Sequence, residues 1–182
     1  VCINGKDKIV LDSPPAPEIL SITSNSVTLK DTDGYEYKMD NDEWQSSNVF
    51  TGLAPNSTHK FYQRIAETET SFASESSEAL NVTTLKNTVE QPPVPEVSKK
   101  TPNSVTLKQI SGYEYKIDNG EWQRSNEFTD LAPNSTYKFY QRIAETETSY
   151  ASESSEAIYV EIVKNTVNSP SASEVLKKTP NS

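Results

Sequence analysis

Few residues of the 182-residue chain are of the types that carry out catalysis or bind metals. His59 is the only histidine, and Tyr137 stands at the matching position of a second copy of the surrounding sequence. Because each working copy of a catalytic site needs its own base, this replacement argues against a catalytic role for His59. Cys2 is the only cysteine and lies outside both copies, so we expect no disulfide and no cysteine-based metal site within them.

Paired carboxylates are the next candidates for chemistry. Glu67 and Glu69, and Glu75 and Glu78, recur in both copies, but they lie in Ser- and Thr-rich stretches that are typical of solvated loops. Glycosidases instead hold two carboxylates at a set separation inside a cleft. Calcium needs about six to eight converging oxygen atoms, and residues 40–43 fit a plain hairpin turn better. We therefore predict no catalytic residue, no metal, no cofactor and no enzymatic activity.

Aromatic side chains are the remaining candidates for ligand contact. Tyr62 and Tyr140 are predicted to point outward from a strand that also carries lysine and arginine, whereas Phe72 and Tyr150 are predicted to lie in a loop. Exposed rings can stack against sugars, although single aromatic residues on a protein surface are ordinary. These four residues are the candidate ligand contacts.

The elements that position these residues come from a sequence that the chain contains twice. Residues 53–79 and 131–157 differ only at the positions of His59 and Phe72, and the two tryptophans lie 78 residues apart. A unit of this length suits a small independent domain better than one turn of a solenoid. The predicted organisation is a tail of a preceding module over 1–13, repeats over 14–91 and 92–169, and the start of a truncated third repeat over 170–182.

Short stretches with a period of two predict about seven strands in each repeat, and no stretch has a helical period. Tyr115 and Ile117 are predicted to share a core-facing side. Asn119-Gly120 predicts a two-residue type I′ hairpin, which places Trp122 opposite Ile117 and therefore in the core, and Trp44 likewise. The predicted fold class is all-β, with two tandem immunoglobulin-like, seven-strand antiparallel sandwiches.

Composition excludes several classes of partner. Hydrophobic residues make up 33% of the chain, the mean hydropathy is −0.70 and the formal net charge is −9. Such an acidic surface repels nucleic-acid phosphates and anionic membranes, and no apolar run approaches the roughly 20 residues of a membrane span. We therefore expect a monomer with no nucleic-acid partner and no membrane insertion.

One motif resembles a known family. Leu131-Ala-Pro-Asn-Ser-Thr-Tyr-Lys-Phe is similar to the fibronectin type III motif, in which a tyrosine hydroxyl bonds back to the backbone just upstream. Leu131, Pro133 and Tyr137 fit that corner, whereas the first repeat has His59 in place of the tyrosine. The Gly-Tyr-Glu-Tyr and Trp-Gln elements resemble short bacterial repeats of Gram-positive secreted and surface proteins, which often accompany glycoside hydrolase modules.

The resemblance implies a fibronectin type III-like fold and a function without catalysis. We expect spacer or presentation modules of a larger secreted or cell-surface protein, such as a carbohydrate-active enzyme or an adhesin. The alternative is a module that binds a glycan or a protein through its outward aromatic rings or an exposed strand edge. The expected partners are the adjacent modules of the same polypeptide and, in the alternative, a glycan or a cell-wall protein.

Overall fold

The structure, a computed structural model, describes residues 8–164. Within that range every regular element is a β-strand and no residue is helical, so the predicted all-β class is confirmed. Cys2, the start of the third copy and residues 165–169 lie outside the described residues. None of the described residues forms a helix long and apolar enough to cross a membrane.

Each repeat contributes six of the strands found in the described range. The strands of the first repeat are β1 (Ile19–Ile22), β2 (Ser26–Leu29), β3 (Tyr35–Met39), β4 (Val49–Thr51), β5 (Thr58–Ile65) and β6 (Leu80–Thr83). Those of the second are β7 (Val97–Lys100), β8 (Val105–Leu107), β9 (Tyr113–Ile117), β10 (Glu127–Phe128), β11 (Ser135–Ile143) and β12 (Ile158–Ile162).

Two antiparallel three-stranded sheets form in each repeat. In the first repeat the strand orders are β1-β2-β4 and β3-β5-β6, and in the second they are β7-β8-β10 and β9-β11-β12. Both sheets of a repeat contribute side chains to one core. Phe50 of β4 packs edge-to-face against Phe61 of β5, with their ring centroids 5.0 Å apart. Phe128 and Phe139 repeat this contact at 5.1 Å. Each pair of sheets therefore packs as a sandwich around aromatic rings.

A buried tyrosine fills the centre of each small core. Tyr37 and Tyr115 are fully buried, and Tyr115 lies on the predicted face with Ile117, which packs against the core. The hydroxyl of Tyr115 accepts a hydrogen bond from the Ile110 amide at 2.8 Å and donates one to the Lys108 carbonyl at 3.0 Å. The hydroxyl is thereby satisfied both as a donor and as an acceptor, as a buried phenol requires.

The predicted seventh strand is not found among the described residues. Its place is held by a single antiparallel bridge, Tyr37 to Gln45 in the first repeat and Tyr115 to Gln123 in the second. This pairing also corrects the predicted hairpin. The residue with positive φ is Asp118 (46°), whereas Gly120 has no left-handed φ, so the turn begins one residue earlier than the type I′ turn predicts.

The observed pairing is one residue out of the predicted register, and this moves the tryptophans to the other face of the sheet. Gln123 rather than Trp122 shares a side with Tyr115, because directly paired residues project to the same face. Trp122 is half-buried and lies beside Lys116, outside the core cluster, and Trp44 lies beside Lys38 in the same way. The prediction that Trp44 and Trp122 fill the core was therefore wrong.

Serines at every third position lie beside β5 in the first repeat. Ser71, Ser74 and Ser77 are buried, although the stretch around them is polar. The backbone amide of Gln63 donates a hydrogen bond to Ser77 Oγ at 3.1 Å, and the backbone amide of Ile65 donates one to Ser74 Oγ at 2.9 Å. A period of three is that of an extended polyproline II chain rather than a pleated strand. Side-chain hydroxyls here replace part of the backbone ladder.

The segment ahead of each repeat is attached to it. Ile9 forms a parallel bridge with Ser71, and Lys8 makes an ion pair with Glu67, so these two residues contact the first repeat. That residues 1–13 are the tail of a preceding module stays a prediction. Asn87 pairs with Ser149 in the same way. The contacts divide the chain into two compact units, one that ends at Glu90 but also takes in residues 143–153, and one made of the remaining described residues.

Candidate functional site

The structure contains the corner that the resemblance implies. The Ala132 amide donates a hydrogen bond to the Tyr137 hydroxyl at 2.9 Å, five residues upstream. Asn134 holds the turn with a φ of 55°, and Leu131 is buried in the core. Leu131 therefore anchors the turn in the core, and Tyr137 fixes the chain as it enters β11.

His59 makes a different set of contacts at the matching position. Its Nδ1 lies 2.9 Å from a carboxylate oxygen of Asp40, and its Nε2 lies 2.8 Å from Ser57 Oγ. Partial burial raises the pKa of Asp40, but hydrogen bonds from the Lys60 amide and the His59 ring lower it more, so that pKa lies below its ordinary value. Ser57 donates to the Ala54 carbonyl at 2.6 Å, so the histidine closes the corner through a chain of side chains.

A row of alternating cations and rings crosses the outer face of the β3-β5-β6 sheet, and of the β9-β11-β12 sheet in the second repeat; we call it the cation–aromatic strip. In the first repeat it consists of Tyr62, Lys38, Trp44, Arg64 and Glu36. Lys38 Nζ lies 5.3 Å from the Tyr62 ring centroid and 5.1 Å from that of Trp44. The Arg64 guanidinium lies 4.5 Å from the Trp44 centroid and donates to Glu36 at 2.8 Å.

The second repeat builds the same strip. It consists of Tyr140, Lys116, Trp122, Arg142 and Glu114. Lys116 Nζ lies 5.1 Å from the Tyr140 centroid and 4.9 Å from the Trp122 centroid. Arg142 lies 4.6 Å from the Trp122 centroid and 2.7 Å from Glu114. The same geometry occurs in both repeats, and this makes the strip the strongest candidate for a binding surface.

One ring extends the strip in the second repeat. Tyr159 of β12 is 65% exposed, and Lys138 Nζ lies 5.5 Å from its ring centroid. Lys138 and Tyr159 are directly paired across β11 and β12. The first repeat has Asn81 at the matching position.

The structure separates the four aromatic residues that the sequence nominated. Tyr62 and Tyr140 point outward, as predicted, and they belong to the strip. Phe72 and Tyr150 are about half exposed in loops, where Lys8 lies 5.7 Å from the Phe72 centroid and the Tyr150 amide donates to Asn87. Their role as ligand contacts stays a prediction.

Sequence reasoning missed most members of the strip. Glu36 and Lys38 alternate with the buried Tyr37, and Arg64 follows Tyr62 by two positions, so their shared face was readable. Trp44 and Trp122 were assigned to the wrong face because the hairpin was misplaced by one residue. Tyr159 carries no repeated signal, since Asn81 replaces it in the first copy.

The carboxylate pairs do not converge on a site. Within residues 8–164 no group of three or more His, Cys, Asp or Glu side chains is placed to hold a metal ion. A cavity of about 120 Å³ lies beside Pro15 and Tyr35, next to the ion pair of Lys30 with Glu18. Gln63 also lines it and donates to the Pro15 carbonyl at 2.8 Å, so its polar walls are engaged in holding the fold.

Comparisons with known proteins return no family for this chain. No family model matches it, and no curated protein matches it.

Proposed function

We propose that the two repeats are non-catalytic spacer modules that present a neighbouring module of a larger secreted or cell-surface protein. The observation that carries this proposal is the duplication of fold-holding contacts. Gln63 and Gln141 each donate to a proline carbonyl at 2.8 Å, and Asn48 and Asn126 each donate to a leucine carbonyl. The one histidine, in contrast, has no counterpart in the second repeat.

The polar side chains inside each repeat serve the sandwich. Every buried side-chain nitrogen or oxygen atom of the described residues has a hydrogen-bond partner. A repeated unit whose interior polar groups are all engaged in this way is suited to carrying length and solubility rather than chemistry. The acidic net charge of −9 supports the solubility part of this function.

Small-angle scattering tests the spacer function. We expect the two-repeat chain to give one extended and nearly fixed shape, and each added repeat to lengthen it by a constant increment. A compact particle, or a pair of units that flex freely, would contradict the proposal.

A second function is favoured by the cation–aromatic strip. We propose that the strip makes each repeat a binding module as well, since both copies place two aromatic rings around one lysine on an outer sheet face. Affinity gels that contain soluble polysaccharides test this function. Retardation that is lost in the Tyr62→Ala, Tyr140→Ala double variant is the expected result, and unchanged mobility of the wild-type chain in every gel would contradict it.

A further inference from the structure

We propose that the cation–aromatic strip binds a carboxylate-bearing polysaccharide, and that the strip of the second repeat binds it more tightly than that of the first. This inference rests on the second of the two functions proposed above and names its ligand class. It is argued from the charges and rings of the strip.

The two cations of each strip are not equivalent. Arg64 and Arg142 are neutralised by Glu36 and Glu114, at 2.8 Å and 2.7 Å. Lys38 and Lys116 form no ion pair with any described residue, although acidic side chains outnumber basic ones 26 to 17 in the chain. An ammonium group kept free of acidic partners in such a chain is available to a carboxylate of a ligand.

The rings on either side of each lysine define the rest of the ligand. Lys38 lies between Tyr62 and Trp44, and Lys116 between Tyr140 and Trp122. Sugar rings offer C–H faces to aromatic side chains, and an acidic sugar adds a carboxylate to the same unit. A neutral sugar would cover the ammonium without pairing it, which costs desolvation. An acidic peptide would supply charge without repeated C–H faces.

The second repeat offers the longer platform. Trp122, Lys116 and Tyr140 contact one another in series. Lys138 lies two residues before Tyr140 on β11 and therefore on the same face, and it pairs with Tyr159 on the neighbouring strand β12. The strip of the first repeat lacks this extension, because Asn81, which has no ring, stands at the position of Tyr159. Tyr159 therefore adds a third stacking surface next to a second ammonium group.

The net charge of −9 opposes the approach of a polyanion. At physiological salt, charges are screened beyond about 8 Å, so the groups of the strip dominate at contact. Binding is therefore measured at physiological salt, where the rest of the acidic surface contributes least.

Affinity electrophoresis and calorimetry of the whole chain test the proposal with three polysaccharides, namely polygalacturonate, its methyl-esterified form and dextran, and with polyglutamate as a competitor. We expect polygalacturonate alone to bind. Because an unpaired charge or a stacked ring is typically worth a factor of several in affinity, Lys116→Gln and Tyr159→Asn should each weaken binding by about fivefold. Lys108→Gln removes the same charge from an exposed pair with Glu96 and should leave binding within about twofold.

The possible results separate this inference from the function on which it rests. Equal binding of the esterified polymer would overturn the carboxylate assignment while leaving a binding module in place. Failure of all three probes to bind would overturn both. A loss in Lys108→Gln as large as in Lys116→Gln would show that the strip is not the site. Polyglutamate that competes as well as polygalacturonate would overturn the assignment to a sugar. Circular dichroism of each variant checks that it is folded.

Discussion

At the scale of single residues, each repeat has an aspartate at the same position of its hairpin, but the side chain next to that aspartate differs between the repeats. Asp40 and Asp118 both adopt a positive φ, at 47° and 46°, and both accept a hydrogen bond from the amide of a lysine on the adjacent strand. Asp and Asn tolerate this conformation better than other residues with a side chain. Only Asp40 also contacts a histidine, because Tyr137 replaces His59 in the second repeat.

This difference predicts an acid sensitivity that is specific to the first repeat. The pKa of Asp40 in the folded chain lies below its ordinary value of 3.8. Its stabilising effect is therefore complete above that ordinary value and is lost as the pH falls through the folded-state pKa. We expect Asp40→Asn to remove part of the decrease in melting temperature between pH 6 and pH 2. The corresponding change in the free energy of unfolding should be below about 1 kcal/mol, because the carboxylate is partly exposed.

Asp118→Asn is the matched control for this experiment. It removes a carboxylate with the same backbone contact and no histidine, so we expect a smaller change in pH dependence. An equal change in the two variants would show that the His59 contact contributes nothing.

The buried serine hydroxyls predict a second effect of single residues. Ser77→Ala removes the hydrogen-bond acceptor of the buried backbone amide of Gln63. An unsatisfied buried donor lowers the free energy of unfolding by about 1–3 kcal/mol. Ser76→Ala is the control, since the Ser76 hydroxyl only donates to the Ser77 carbonyl at 3.2 Å from an exposed position. Urea unfolding should show a loss for Ser77→Ala and little change for Ser76→Ala. Equal losses would show that the serine edge holds the chain through its backbone alone.

At the scale of elements, most of the period-two stretches form the strands that they predicted, whereas one predicted strand of each repeat is only a single bridge, and the ends and turns differ. The hairpin after β9 starts at Asp118, and one extra residue on its returning arm turns Trp122 to the outer face. A shift of one residue moves a side chain to the other face of a sheet. The same shift in both repeats places both tryptophans in the cation–aromatic strip.

The corrected position of Trp122 predicts a modest cost for its removal. Trp122→Ala should destabilise the second repeat by about 1–2 kcal/mol, which is the size of two partly exposed cation–π contacts. Phe139→Ala, which empties a fully buried position, should cost about 3–5 kcal/mol. Chemical denaturation compares the two variants. If Trp122→Ala lowered the stability as much as Phe139→Ala does, the result would contradict the placement of Trp122 outside the core.

At the scale of the whole molecule, the described residues form two separate hydrophobic cores. Val27, Leu29 and Phe61 belong to one cluster, and Val105, Leu107 and Phe139 to the other. Each core is small, so we expect each repeat to have a stability near the low end for a domain. The repeats should therefore respond separately to a defect in one core.

Phe61→Ala tests this separation. We expect scanning calorimetry to split the melting profile, with one part shifted to lower temperature and the other unchanged. Phe139→Ala should give the mirror result, with the order of the two repeats exchanged. A single transition that moves as one in both variants would show that the two units unfold together.

The sequence by itself determined the all-β class, the duplication and the buried face of β3 and β9. These follow from local alternation of apolar and polar residues, which is written in the order of the chain. The tyrosine corner was implied by the resemblance to the fibronectin type III motif, and the hydroxyl of Tyr137 accepts its hydrogen bond from the Ala132 amide five residues upstream.

Only the tertiary structure decided which residues form the cation–aromatic strip and how the serines are used. Trp122, Lys116 and Tyr140 come from separate stretches, and their meeting depends on a turn whose left-handed residue is fixed by a contact from another strand. Ser77 likewise becomes a hydrogen-bond acceptor only where it lies beside β5. Such pairings depend on register between distant segments, and a local pattern does not specify that register to within one residue.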